Sequence, residues 1–454
     1  MWTATDSMTS PSISSTPVRL LITLRIAAAI TGLLLLAAAL WGHHLGLGSA
    51  PRMGATRLLA LITGAAMVGA AVVGQRLPRL YRTAALILLN SIILFFGLEL
   101  AAALILKVTV PGESVAPPND QRTSPYYQNK EWAHQYWSEF DQVMGLGVRY
   151  RPYVVSGWPA YQGKMIAIDQ DGYRHTPGSE CRKGALTVFF FGGSTSWGFG
   201  SPDWGTIPAY LVQDLKRILD RPICLRNLGQ LGFVSTQSVL QLMRHLQIGD
   251  KPDLAIFYGG NNDIEGADQS GRAGHPWDNS RIAARLEAGE GANQPRFTEL
   301  RWKSNLYQLV WRLTREPKPA DPPVHHVSDS LADAVLRVYL ENHRVAQALG
   351  REYGFQVASF WQPIIDGDAK QLTPDEQPFR RALIGSLSEL VAARVSSLRK
   401  VDHLYDLTTV FAGHPELIYL DTHHITPEGN RLVAAAIAKA LSTSGALGEA
   451  LDDP

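Results

Sequence analysis

Three long apolar stretches open the chain, and a shorter, alternating rhythm follows them. Residues 20–41, 58–73 and 84–108 run almost without charge. Crossing a bilayer takes about 20 apolar residues. The first and third stretches therefore read as membrane spans, and the second needs its flanks to reach that length. A buried core helix is the competing reading for each, and a signal peptide cleaved near residues 37–39 is a further one for the first. The predicted membrane region is 1–108. Residues 109–125 carry Pro111, Pro117, Pro118 and Pro125 among polar residues and read as an extended linker. Residues 126–184 are rich in Tyr and Trp and show no clear long helix. Within them Asp169-Gln170-Asp171-Gly172 reads as a turn between short strands.

From Ala185 onward, short apolar runs alternate with stretches of helical period. Strands are predicted at 186–191, 223–227, 254–258, 356–360 and 403–407. Helices are predicted at 207–219, 236–246, 331–353, 378–397 and 427–441, with Ser328 or Asp329 as a cap and Pro427 in a first turn. The alternation predicts an α/β domain over 185–442, a parallel sheet covered by helices on both faces. Ligands of such sheets bind beyond the carboxyl ends of the strands. Residues 265–327 break the rhythm. They are polar, with scattered Gly and Pro, and read as an insertion at the site's rim: a substrate-facing lid with a helix near 305–313, or a surface loop. Residues 443–454 read as a frayed tail.

Charge adds orientation. The net charge of +1 points to no nucleic-acid partner, and the low charged fraction of 18% reflects the apolar first 110 residues. Arg19 precedes the first span and Arg76, Arg79 and Arg82 fill the second loop, while Arg52 and Arg57 in the first loop run against the trend. The bias predicts a cytoplasmic N-terminus and places everything after the third span outside the cytoplasm. Glu99 lies inside the third span, so it is either a functional carboxylate or a polar contact between helices, to Thr63 or another group. Cys181 and Cys224 both fall in the exported part, Cys181 shortly before the strand predicted at 186–191 and Cys224 at the start of that predicted at 223–227, each preceding an apolar run. A bridge is expected if those strands are neighbours, and two unpaired thiols are the alternative. There is no CxxC and no histidine cluster of metal-ligand spacing. Gly192–Gly200 is followed by no Gly-Lys-Ser/Thr and is not a phosphate loop. No cofactor or metal is called for.

Four motifs sit at predicted strand ends or at a helix start: Gly193-Ser194, then Asn227-Leu228-Gly229-Gln230-Leu231-Gly232, then Gly260-Asn261-Asn262-Asp263, and last Asp421-Thr422-His423-His424. Their chemistry is that of acyl transfer. A serine needs a base to take its proton. His424 can be that base, with Asp421 three residues earlier to hold the ring. The backbone N–H groups of Ser194 and Gly232 and the Asn262 amide can serve a developing oxyanion.

Residues 185–441 resemble the SGNH hydrolases, the GDSL esterase and lipase superfamily, through all four blocks. The resemblance implies a three-layer α/β/α, flavodoxin-like fold. It implies Ser194 as nucleophile, Gly232 and Asn262 in the oxyanion hole, and Asp421 and His424 as the remaining catalytic pair, with Asp263 as support. Gly193 stands where the eponymous motif has Asp, although membrane-linked members read GGST. The expected protein is a multi-pass, membrane-anchored esterase facing the periplasm or cell exterior. It would remove O-acyl groups, acetyl above all, from a surface or exported glycan. Its partners would be the bilayer, the acylated substrate, and a membrane acyltransferase or glycan-assembly protein. The competing readings are an O-acyltransferase using the same residues and a non-catalytic glycan-binding or assembly scaffold.

Overall fold

The computed structural model describes residues 16–41, 55–73, 78–109, 121–276, 304–314, 325–367, 369–444 and 447. Its helices are Thr16–Trp41 (α1), Ala55–Val73 (α2), Pro78–Thr109 (α3), Ala133–Leu146 (α4), Ser194–Trp197 (α5), Ile207–Leu219 (α6), Ser235–Gln247 (α7), Asn261–Ser270 (α8), Asn305–Thr314 (α9), Asp329–Tyr353 (α10), Gln377–Ala382 (α11), Leu387–Ala392 (α12) and Pro427–Thr443 (α13). The strands are Arg149–Arg151 (β1), Val155–Gly157 (β2), Tyr161–Gln162 (β3), Ala167–Ile168 (β4), Leu186–Gly192 (β5), Ile223–Asn227 (β6), Leu254–Gly259 (β7), Gln356–Trp361 (β8) and Leu404–Asp406 (β9). The chain divides into two units: residues 1–112 with 296–316, and residues 113–295 with 317–454.

In the first unit, Leu86–Leu106 of α3 is the one stretch among the described residues long and apolar enough to cross a membrane, with a mean hydropathy of 2.2. The apolar parts of α1 and α2, Arg25–Leu40 and Ala60–Val72, are shorter. These two helices pack backbone to backbone. A Cβ placed at Gly32 would lie 2.8 Å from the Gly64 carbonyl oxygen, and one at Gly64 would lie 2.8 Å from that of Gly32. Small residues at such a crossing let the two backbones approach closely and gain dispersion contacts. Arg25 Nε donates to the Ala71 carbonyl (3.1 Å) across the same pair. Glu99 does not meet Thr63. Its carboxylate accepts the Ser304 hydroxyl and the Asn305 N–H (2.8 Å), so it caps the positive N-terminal end of α9. Helix α9 thus belongs to the same unit as α1–α3. The rest of the lid reading, 277–303 and 315–324, lies outside the described residues.

The second unit is built on a five-stranded parallel sheet in the order β6-β5-β7-β8-β9. Period-two alternation on β5 explains the layers. Leu186, Val188 and Phe190 face α6 and α13, packing with Leu211, Leu215, Val433 and Ile437. Phe189 and Phe191 face the other way, toward Val239, Leu242 and Leu246 of α7 and Ala346 of α10. Both faces are covered, so the central strands β5 and β7 are apolar almost throughout. This order reverses direction at β5, and the reversal opens a crevice at the carboxyl ends of β5 and β7.

Three local expectations need correction. The stretch 126–184 does contain a helix, α4, whose Tyr136, Trp137, Phe140 and Val143 are buried in an aromatic cluster with Trp158 and Trp197. The stretch 378–397 is not one helix, because Gly385 (φ 76°) takes a left-handed turn and Ser386 starts a new helix by capping Glu389 N–H. The tail is not frayed from its start, since α13 runs to Thr443 and Leu447 is buried in the core.

Cys181 and Cys224 are joined, with Cα atoms 4.4 Å apart, beside the paired strands β5 and β6. The bridge closes a loop of sequence separation 43. Chain entropy for such a loop corresponds to about 4 kcal/mol. Replacing both cysteines by serine should lower the unfolding free energy by that order in a denaturant titration of the purified protein. An unchanged midpoint would show that the bridge contributes nothing.

Candidate active site

Ser194 opens α5 directly after β5 and Gly193, which places its hydroxyl at the carboxyl edge of the sheet. The turn is held from beneath. Ser196 Oγ donates to the Tyr258 carbonyl (3.0 Å). The fully buried Arg174 spreads its guanidinium over the loop that follows, donating to the carbonyls of Trp197 (3.1 Å), Gly198 (2.7 Å) and Ser201 (2.6 Å) and to Asp203 Oδ1 (2.7 Å). Its positive charge also lies 4.3 Å from the Trp197 ring centroid.

His424 approaches from the far end of the chain. A tight turn, closed by Leu420 N–H to the His424 carbonyl (2.8 Å) and continued by the Tyr419–Ile425 bridge, brings Asp421 and His424 together. His424 Nε2 lies 2.7 Å from Ser194 Oγ, and His424 Nδ1 lies 2.6 Å from Asp421 Oδ2. The partners assign the tautomer: Nδ1–H donates to the carboxylate, and Nε2 accepts the serine proton. Asp421 Oδ1 accepts the backbone N–H groups of His423 (2.9 Å) and His424 (2.7 Å). Burial pushes the Asp421 carboxyl up, but the two adjacent histidines and these hydrogen bonds outweigh it and hold the group well below the usual range.

His423 is no rival base. Burial, assisted by the neighbouring His424, pushes its pKa down to about 3 against the pull of Asp421. Its Nδ1 lies 3.0 Å from Thr422 Oγ1 and 3.9 Å from Glu265 Oε1. Asp421, His423 and His424 offer ligand atoms within 4.8 Å of one another, a spacing open to a metal ion. The Asp421 and His424 atoms are already engaged in the hydrogen bonds above, and a metal would have to break them.

The oxyanion candidates converge as well. Asn262 opens α8 after β7, and its Nδ2 donates one hydrogen to the Phe233 carbonyl (2.9 Å), leaving the second free to point elsewhere. Gly232 sits at positive φ (75°) in the turn closed by Phe233 N–H to Gln230 O (3.3 Å). Among the described residues neither the Gly232 N–H nor the Ser194 N–H has a partner. Asp263 supports this loop from behind. It is buried and accepts the Ser235 N–H (3.1 Å) and hydroxyl (2.5 Å) at the start of α7. Burial pushes its pKa up to about 6, against those bonds.

The glycine in place of Asp at 193 has a physical reason here. A Cβ at Gly193 would lie 2.1 Å from Asn262 Nδ2. Gly193→Ala should therefore displace the Asn262 amide and lower turnover by roughly 10²–10³-fold, the cost of one oxyanion donor. Hydrolysis of p-nitrophenyl acetate by the purified variant checks this, and parental turnover would remove Asn262 from the site.

One residue of the site escapes sequence reasoning. Gln121, from the stretch read as linker, is buried, and its Nε2 donates to Asp421 Oδ2 (2.5 Å). Residues 121–127 form two short 3₁₀ turns packed on the domain, with Tyr127 Oη donating to the Gly200 carbonyl (2.7 Å). No local signal marks Gln121, since its partner lies 300 residues away.

A parallel α/β sheet carrying a Ser–His–Asp chain at its carboxyl edge has the arrangement of a serine hydrolase. No family model matches the chain, and no curated protein matches it. Solved structures similar to it include a lipolytic protein of the G-D-S-L family from Veillonella parvula (10% identity, TM-score 0.32, covering 57% of this chain and 99% of that one). Another is a lipase from a goat rumen metagenome (11%, TM-score 0.33, 56% and 97%). A third is an acetyl xylan esterase from Geobacillus stearothermophilus (17%, TM-score 0.27, 56% and 93%). Likeness at that level carries no chemistry across, and the geometry above stands by itself.

Proposed function

We propose that this chain is a membrane-anchored serine esterase of the SGNH type that removes O-acyl groups, acetyl first among them, from a glycan outside the cytoplasm. The observation that carries the proposal is the continuous chain Ser194 Oγ–His424 Nε2 (2.7 Å), His424 Nδ1–Asp421 Oδ2 (2.6 Å). Ser194 Oγ attacks the ester carbonyl while its proton passes to His424 Nε2. The Ser194 and Gly232 N–H groups and Asn262 Nδ2 receive the charge on the former carbonyl oxygen. The intermediate collapses, the C–O bond to the sugar breaks, and His424 returns the proton to the leaving alkoxide. Water repeats the sequence on the acyl-serine and releases the acid.

The first unit supports this location. The span Leu86–Leu106, the α1–α2 crossing at Gly32 and Gly64, and the arginines at 76, 79 and 82 support three crossings with the catalytic unit outside. A Cys181–Cys224 bridge suits an oxidising compartment. The deciding experiment compares O-acetyl content of surface glycan in wild-type and Ser194→Ala cells. A rise in the variant supports the esterase. A fall would assign the same residues to an O-acyltransferase working with a membrane partner. No change, alongside an effect of deleting the gene, would make the protein a scaffold.

A further inference from the structure

A cleft of about 430 Å³ lies along α7 and the outer strand β6, away from the catalytic serine but sharing a wall with its oxyanion loop. Gln230 and Phe233 line it, and the turn they form carries Gly232 while the Phe233 carbonyl holds Asn262. Its floor is a fixed polar chain. Tyr173 Oη lies 3.0 Å from His245 Nε2, His245 Nδ1 lies 2.7 Å from Asp250 Oδ2, and Arg226 Nη1 donates to the same oxygen (2.5 Å). Buried polar groups are normally satisfied, yet two in this wall are not. Gln230 and Gln241 are 3% and 5% exposed; Gln230 Nε2 donates to the Gly172 carbonyl (3.0 Å) and the Gln241 amide is hydrogen-bonded to Tyr173, while the Oε1 of each is buried with no partner. Both oxygens can accept from hydroxyl groups.

Charge at the rim has one sign in excess. Arg226 is paired with Asp250, and Asp171 is the other carboxylate lining the cleft. Arg151 donates to the Asp171 carbonyl, and Arg244 lies 5.5 Å from the Tyr153 ring centroid; neither makes an ion pair among the described residues. Tyr153 is 75% exposed, and its backbone (φ 69°) is held in the left-handed region, as is that of Val155 (φ 75°). Gln237 Nε2 fixes the hairpin between them to α7 by donating to the Val154 carbonyl (2.8 Å). Strain of this kind persists where the surroundings over-determine it, and it clusters at ligand clamps.

We propose that this cleft binds an acidic saccharide segment of the substrate chain. Sugar hydroxyls would donate to Gln230 and Gln241, the sugar acid group would face Arg244, and the exposed Tyr153 ring would flank a sugar face. This deepens the esterase proposal and rests on it only for the bond that is cut. The test is calorimetric titration of the full-length Ser194→Ala protein in detergent with hexagalacturonate and with neutral cellohexaose. Hexagalacturonate should bind at least roughly tenfold tighter, with affinity falling as salt is raised. Arg244→Ala and Gln241→Leu, each added to that protein, should weaken binding by at least roughly tenfold, while Met243→Ala on the same helix should not. A thermal melt of each variant reports folding, and the salt dependence stands without any variant. Equal binding of the neutral sugar, no binding of either, or affinity indifferent to Arg244 and Gln241 overturns the proposal. Failure of the esterase reading is seen separately, as wild-type protein that turns over no aryl acetate.

Discussion

Ser194→Ala should lower kcat on p-nitrophenyl acetate by about 10⁵–10⁶-fold in the purified full-length protein, while KM changes little. The expectation follows from how many elements converge on one hydroxyl. Ser194 is placed by β5, clamped from below through Ser196 and Arg174, and faced by His424 at 2.7 Å. Removing Oγ leaves His424 with nothing to deprotonate, so the acyl-enzyme route closes. The Gly232 N–H and Asn262 survive, and a residue of catalysis over water should remain through them. Because the side chain lost is small, the fold should be unaffected and the melting curve should superpose on that of the parent. A variant that keeps more than a hundredth of the parental turnover, with an unaltered melt, would mean that another group is the nucleophile.

Much of this was legible because the informative signals are local. Leu186–Gly192, Ile223–Asn227 and Leu254–Gly259 are apolar runs bounded by turn residues, and a strand buried on both faces looks like that in any context. The base is legible for the same reason, since Asp421 and His424 sit in one tight turn. What was not legible depends on distant partners or on ambiguous composition. Helix α4 has a clean period, Ala133, Tyr136, Trp137, Phe140 and Val143, but it is written in aromatics of modest helix propensity and starts at Trp132 without a side-chain cap. Its partners, Trp158 and Trp197, lie far along the chain. Gln121 sits among prolines in a polar stretch, and only the folded chain reveals what its amide meets. Glu99 was legible as an anomaly inside an apolar helix, but its partners Ser304 and Asn305 belong to an insertion that no pattern links to it.

Asp421→Asn should cost about 10⁴-fold in kcat without disturbing the geometry. Oδ1 of residue 421 accepts two backbone N–H groups, from His423 and His424, so an asparagine would keep its carbonyl oxygen there. Its NH₂ would then occupy the place of Oδ2 and donate to His424 Nδ1. The ring would be driven to carry its proton on Nε2, where it donates to Ser194 in place of accepting from it. Gln121 would face the same NH₂ with its own amide nitrogen, and rotating that amide would offer its Oε1, which is buried without a partner in the parent. The variant should therefore fold and stay inactive. The pH dependence gives a second reading. A carboxyl with its folded pKa held below the unfolded value of about 3.9 contributes stability that is fully present above that value and is lost only as pH falls through the lower one. Asp421 lies on that side, so its own titration should leave stability unchanged between about pH 5 and 8 and lower it only in stronger acid. Denaturant titrations of both proteins below about pH 5 measure this, and a parent–variant difference that does not shrink in acid would show that Asp421 is not ionised in the folded protein.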